Sequence, residues 1–369
     1  MAERKRGKPK YRTSTGGNGE QETIALGARE EAILKSVIRE HVLTGEPIGS
    51  RTVSRGPRLD LSPATIRSVM ADLEEHGLLT RPHASAGRLP TTKAYRLYVD
   101  RLISPPRINA DQSKAIDAAL LGHHGEITDL LEEVSRQLSR FSNQVGVVLA
   151  PEIHRIIVEH LEFVRLDPHR VVAILVGRSG VVHNRILQVD APIEQSELDD
   201  IGRYLSAEFR GRTLPEIRRI LEHRLSEDRA AYDLLLARSL ELGRRTVEAE
   251  TAEAEVFVEG ALKLVGNPEF SDDPGKIREL LAMLERKKTL VDLLSRVLRQ
   301  EGVQVVIGEG NSGEGLARCS VVASTYGADG LVMGTLGIVG PTRMEYAKAI
   351  ALVDYLAQLL SSYFSGPEN

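Results

Sequence analysis

Residues 62–77 read SPATIRSVMADLEEHG, and this stretch decides the reading of the first hundred residues. Ser62 carries the short hydroxyl side chain of a helix N-cap. Pro63 stands at the first helical position, where a backbone N–H would have no partner in any case. Ile66, Val69, Met70 and Leu73 recur at i, i+3, i+4 and i+7, the apolar stripe of one helix face. Gly77 stops the helix as its C′ residue. With the stripe turned to a core, Thr65, Arg67, Ser68 and Asp72 are left facing solvent or a partner.

Working outward, an earlier helix begins near Ala28, with Ile33, Leu34, Val37, Ile38 and Val42 on one side, and Gly45 and Pro47 end it. A short helix follows at Gly49-Ser50, with Ser50 as its cap, and Gly56-Pro57 breaks it. After Gly77, residues 78–81 and 88–89 read as two short strands around a small-residue tip, Pro82-His-Ala-Ser-Ala-Gly87. Another helix starts after Thr91 or Thr92 and places Tyr95, Tyr98, Val99 and Leu102 on one face, and Pro105-Pro106 marks a linker. Three helices and then a two-stranded ribbon is the winged helix-turn-helix order.

A helix carrying small and polar side chains fits the major groove of double-stranded DNA, entering with its first turns. Arg67 can make paired hydrogen bonds to a guanine edge, with Thr65 and Ser68 beside it. Ser62, at the helix start, favours a phosphate nearby. His83, Ser85 and Arg88 belong to the wing and can hold it against backbone or minor groove. For each of these polar residues a solvated surface position is the plain alternative. The charge distribution agrees with a DNA-binding head. Residues 1–107 contain 19 Lys and Arg against 12 Asp and Glu, a net of +7, and the remainder has 29 against 40, a net of −11.

Residues 1–24 form a basic tail poor in apolar side chains, which reads as disordered. The body after the linker is α+β. A helix with Ile127, Leu130, Leu131, Val134 and Leu138 leads into strand-like runs at 145–149, 156–166, 171–176 and 181–189, separated by turn signals, which read as an antiparallel meander. Residues 194–265 are mostly helical apart from a short strand at Glu255 to Val258, and a long amphipathic helix follows Asp272-Asp273-Pro274-Gly275. Strands return at 303–307, 320–325 and 330–334, and a closing helix starts at Thr342. The simplest account is one domain interrupted by a largely helical insertion. Leucines around Leu234–Leu242 and Leu280–Leu298 belong either to a core or to a dimer seam.

Other chemistry finds little support. Gly308-Glu-Gly-Asn-Ser-Gly313 has the spacing of a dinucleotide loop, with Asp329 about twenty residues on. Such a loop must open a helix, whereas residues 316–325 read as strand, and Glu309 would repel a pyrophosphate. The histidines, including His123-His124, show no metal-ligand spacing, and no nucleophile arrangement stands out. The composition therefore implies no cofactor, no metal and no enzyme. Cys319, the single cysteine, reads as a small buried hydrophobe, consistent with a reducing cytoplasm. No apolar run approaches the ~18 residues of a membrane span.

Several stretches together resemble one family. Ser62-Pro-Ala-Thr-Ile-Arg67, Ala71-Asp-Leu-Glu-Glu-His-Gly77, and Pro82-His-Ala-Ser-Ala-Gly-Arg88 with Pro90-Thr91 and Tyr95-Arg96 are similar to the heat-inducible transcription repressor family HrcA. Gly49-Ser-Arg-Thr52 matches its second helix, which brings Ser50 and Arg51 into the DNA-contacting set. Gly337-Ile-Val-Gly-Pro-Thr-Arg-Met344 with Tyr346 resembles its C-terminal signature.

The resemblance implies a winged helix at residues 25–106, a GAF-like domain at 107–211 and 299–369, and an inserted dimerisation domain at 212–298. It further implies a cytoplasmic homodimer that binds an inverted-repeat operator upstream of chaperone operons and is kept active by the chaperonin GroEL. An inverted repeat itself requires a two-fold dimer. A GAF-type regulator that senses a small ligand is the alternative.

Overall fold

The structure, a computed structural model, describes residues 12–13, 25–56, 61–83, 86–103, 108–121, 127–151, 156–178, 181–226, 234–248, 255–265, 269, 274–295, 302–308, 319–328 and 330–365. Composition points to disorder throughout residues 1–24, yet Arg12–Thr13 form a short strand, β1, pairing in parallel with Gln304–Val305. A backbone ladder needs an open sheet edge, not apolar side chains. The rest of that tail lies outside the described residues.

The head builds on α1 (Ala28–Thr44), α2 (Ser50–Ser54) and α3 (Pro63–Glu75). α1 buries Ile33, Leu34, Val37 and Ile38, and α3 buries Ile66, Met70 and Leu73, as their periodicity requires. Each such side chain contributes about 1.5–3 kcal/mol. α3 ends in a Schellman turn: Leu78 N–H donates to Leu73 O at 2.9 Å and Gly77 N–H to Glu74 O at 2.9 Å, with Gly77 at φ 70°. β2 (Leu79–Thr80) then pairs antiparallel with β3 (Leu89–Pro90). α4 (Thr92–Leu97), capped by the Thr91 hydroxyl, runs on into one wider π-type turn at Tyr98–Leu102.

Helices α5 (Ala110–Leu121) and α6 (Ile127–Ser142) precede β4 (Val145–Leu149), every residue of which is buried. Next come the strands β5 (Val158–Asp167), β6 (Arg170–Gly177) and β7 (Val182–Gln188), then α7 (Gln195–Phe209), α8 (Leu214–Ser226) and α9 (Leu234–Glu248). The chain continues through β8 (Val256–Glu259), α10 (Leu262–Val265), α11 (Pro274–Glu285) and α12 (Lys287–Ser295). β9 (Gln304–Ile307), β10 (Cys319–Ala328), β11 (Leu331–Pro341) and α13 (Tyr346–Phe364) complete it. α13 starts four residues later than the Thr342 spacing suggests, because Glu345 O accepts the first helical bonds, from Lys348 and Ala349.

β1, β9, β10, β11, β4 and β8 form one six-stranded sheet in that order, whereas β5-β6-β7 are a separate antiparallel sheet. The chain divides into two compact units. One runs to Val148 and resumes over Val256–Thr325 and Thr335–Ala357. The other comprises Leu149–Glu255, Tyr326–Gly334 and the chain from Gln358. The main segment of the second unit runs from Leu149 to Glu255, and among its described residues the helices α7–α9 are longer in total than the strands β5–β7. The expected meander exists for β5–β7, but the hydrophobic pattern of a strand does not say which sheet it joins. The long helix expected after Pro274 is two, α11 and α12. Its Leu280, Leu284 and Leu294 are core, as are Leu240 and Leu242 of α9, and Leu298 lies outside the described residues.

In the inserted unit, register puts Leu161 opposite Leu175 and Phe163 opposite Ala173. These four are buried on the face against which α7 lays Gly202, whose Cβ position would be 3.2 Å from Leu161 O. The opposite face carries Val164, Val172 and Ile186 in one row, with Val176 beside Val182. Val164, Val182 and Ile186 are 37%, 55% and 58% exposed, so these apolar side chains are open within their unit, with the row Glu162, Ile174 and Asn184 between the two groups. The two ends of the segment 149–255 meet: Ala150 N–H donates to Glu255 O at 2.9 Å.

Candidate nucleic-acid interface

α3 is presented to solvent by its own cap and by the helices beneath it. The Ser62 hydroxyl accepts from Thr65 N–H at 3.2 Å and lies 2.9 Å from the Thr65 hydroxyl. Two of the expected contact residues are thus tied into the helix start, and both remain exposed. Arg67 and Ser68, one turn on, are exposed as well, and Arg67 has no hydrogen-bond or ion-pair partner among the described residues. Arg51 of α2 is exposed too. The structure brings Arg67, Ser68, Thr65 and Ser62 together on one helix turn and a half, outward-facing, with a free guanidinium among small hydroxyls. That arrangement can donate to acceptors on a base edge or phosphate.

Two expected contact residues are placed otherwise. Ser50 is not the cap of α2. Gly49 is, and Ser50 is the first helical residue, 8% exposed. Arg88 is 6% exposed and does not face outward. Its Nε donates to Glu74 Oε2 at 2.9 Å, and its backbone exchanges two 2.9 Å hydrogen bonds with Ile48. The reason is the ribbon's length: with only two paired residues per strand, Arg88 lies at the wing's root, beside α3, not at its tip. His83 is exposed at the tip, and Ser85 lies outside the described residues.

Glu74 is the residue the sequence reading missed. Its Oε2 also accepts from Arg81 Nε at 2.9 Å, so one carboxylate on α3 holds both the residue after β2 and the residue before β3. The hydrogen bond from Arg88, aided by Arg81, holds the Glu74 carboxyl below its ordinary pKa of 4.5 against a smaller opposing effect of burial. The root is tight elsewhere: a Cβ on Gly87 would stand 2.6–2.7 Å from the backbone of Ile48 and Pro47. The only signal in the sequence is a glutamate followed by arginines seven and fourteen residues on, which no local rule connects.

The other readings can also be placed. Gly308 ends β9 at φ 62°, residues 309–318 and 329 lie outside the described residues, and the chain resumes at Cys319 in a strand. His123 and His124 lie outside them as well. Among the described residues there is no group of three or more potential metal ligands, and no helix is long and apolar enough to cross a membrane. Cys319 is fully buried, and burial pushes its thiol up to about 12.

Comparison with known proteins follows the same lines. The profile described as HrcA protein C terminal domain matches residues 128–350. Heat-inducible transcription repressor HrcA of Geobacter sulfurreducens is 41% identical over 342 residues, covering 92% of this chain and 99% of the relative. Its counterpart in Sorangium cellulosum is 38% identical over 338 residues, covering 91% and 97%. A crystal structure of a hypothetical protein superposes with a TM-score of 0.62 at 21% identity, over 93% of this chain and all of that one, and so shares the fold.

Proposed function

Since the chain belongs to the HrcA family of heat-inducible transcription repressors, which are regulators and not enzymes, we propose that it represses by laying α3 in the major groove of an inverted-repeat operator, one copy from each protomer of a homodimer. The observation that carries this reading is the outward turn of α3, with Arg67 unpaired among the described residues and set among Ser62, Thr65 and Ser68. Arg67 reads a base edge. Thr65, Ser68 and the helix start contact the backbone or neighbouring bases, and Arg51 and the wing tip at His83 and Ser85 flank them. Ser50 and Arg88 act from beneath, by packing and by bracing.

The dimer forms through the inserted unit, whose open apolar row Val164, Val172 and Ile186 is suited to a second copy of itself. The regulated genes are chaperone operons in the cytoplasm. The chaperonin GroEL maintains the active form, so its recruitment to heat-damaged proteins relieves repression.

The test is fluorescence anisotropy of the full-length protein, with chaperonin, on an inverted repeat from upstream of a chaperone operon and on a scrambled duplex, each at two salt concentrations. The reading expects a preference of at least ~10³-fold for the repeat. Equal, steeply salt-dependent binding to both would overturn it.

A further inference from the structure

The stretch Gly340-Pro-Thr-Arg-Met344 closes β11, and operator recognition as described makes no use of it. Its Arg343 reaches the head. Nε donates to Glu269 at 2.7 Å, and Nη1 donates to the carbonyl of Val42 at 3.2 Å. Val42 lies in the last turn of α1, where carbonyls have no intrahelical donor and the helix end is partly negative. The guanidinium also lies against Gly45, the αL residue that ends α1 at φ 77°. A Cβ there would stand 3.1–3.3 Å from Nη1, Cζ and Nη2. Arg343 is largely buried, with its side chain 15% exposed. Nearby, Arg96 donates to Ile307 O at 2.8 Å, and the Tyr95 ring packs at 5.9 Å on that of Tyr346.

These contacts tie the head to β9 and to the chain that follows β11. Of them, Arg343 alone holds the end of α1, between a carboxylate and a helix terminus. α1 has 17 residues and is about 25 Å long. Turning such a lever by about 10° at one end displaces the other by about 4 Å, roughly the rise of one base pair.

We propose that Arg343, oriented by Glu269, is a positioning residue for operator recognition: it fixes how the winged helix is carried and thereby sets the half-site spacing that a dimer accepts. The inference rests on the dimeric operator reading above. It assigns Arg343 no contact with DNA.

The test starts from an inverted repeat recovered by in vitro selection with the full-length protein. Anisotropy is then measured on that repeat, on repeats with spacing changed by one to three base pairs, and on a single half-site. For Arg343→Ala the half-site affinity is expected within twofold of wild type, the affinity for the selected repeat at least ~10-fold weaker, and the spacing preference nearly flat. Arg343→Lys keeps the charge but cannot hold Glu269 and Val42 together in the same way, and is expected to flatten the preference as well. Glu269→Gln gives an intermediate profile.

Wild-type spacing preference in the arginine variants would overturn the proposal. So would equal losses on half-site and repeat. Should Arg343→Ala fail to give a wild-type circular dichroism melt, Arg343→Lys and Glu269→Gln carry the same prediction. If the wild-type protein selects no inverted repeat, the operator reading falls and this one with it. If it selects one and the variants keep its spacing, only this inference falls.

Discussion

Removing the Glu74 carboxylate should loosen the wing without unfolding the head. The two arms of the grip are unequal. The Arg88 side chain is 7% exposed and that of Arg81 41%, while Glu74 itself is 31% exposed. A hydrogen bond to a charged group contributes about 1.5–3 kcal/mol. Solvent at Glu74 lowers the Arg88 arm to about 1–2 kcal/mol, and the exposed Arg81 arm contributes about 0–1 kcal/mol. Hydrogen exchange on the full-length protein reads this locally, because the Ile48 and Arg88 amides bond each other's carbonyls at 2.9 Å. In Glu74→Gln both amides should exchange about 5- to 30-fold faster at neutral pH, the factor matching 1–2 kcal/mol.

The pH dependence has a definite sign. The folded carboxyl titrates below 4.5, so the brace is fully present above that value and is lost as pH falls through the lowered folded value. Wild type should therefore converge on Glu74→Gln only in acid. A double-mutant cycle should give a larger coupling for Glu74 with Arg88 than with Arg81. Wild-type protection in Glu74→Gln, or the reverse order of couplings, would refute the reasoning.

Further outcomes follow from exposure and register. Arg67→Ala should leave thermal stability within about 0.5 kcal/mol, since the side chain is exposed and has no partner among the described residues. On operator DNA it should cost about 1–3 kcal/mol per half-site and relax specificity, and unchanged affinities on operator and random duplex would remove Arg67 from base readout. The double substitution Val164→Asp and Ile186→Asp should yield a monomer in sedimentation with an unaltered circular dichroism spectrum. A dimer of wild-type strength would place the interface elsewhere. Cys319, with its thiol pushed up to about 12, should resist iodoacetamide at pH 8 until denaturant is added; labelling at a free-thiol rate in the native protein would mean that β10 opens.

The head was legible because its signals are local. Ser62 as cap, Pro63 behind it, the Ile66–Leu73 stripe and the Gly77 stop each act within a turn or two, and all appear where the spacing puts them. The burial of Arg88 is not legible locally, because it comes from Ile48 and Glu74, both distant in sequence. Ser50 was misjudged by one residue: glycine caps α2 with no side chain to announce it. The strands of the body were legible, but their sheets were not. β4 and β5 are consecutive runs of similar apolar character, yet one joins five other strands and the other starts a separate sheet. Period-2 patterning reports a buried face and is silent about which strand lies alongside.

The meeting of Ala150 with Glu255 has an evolutionary consequence. Because the segment 149–255 leaves and rejoins between strands that are neighbours in the larger sheet, with Ala150 bonded to Glu255, its ends ask of those strands no more than a hairpin would. The cost of closing a loop grows only slowly with its length, so descent could enlarge, shrink or replace this segment while the strands on either side kept their register. The host and its insertion can therefore drift at different rates, like a cartridge changed in an unaltered socket.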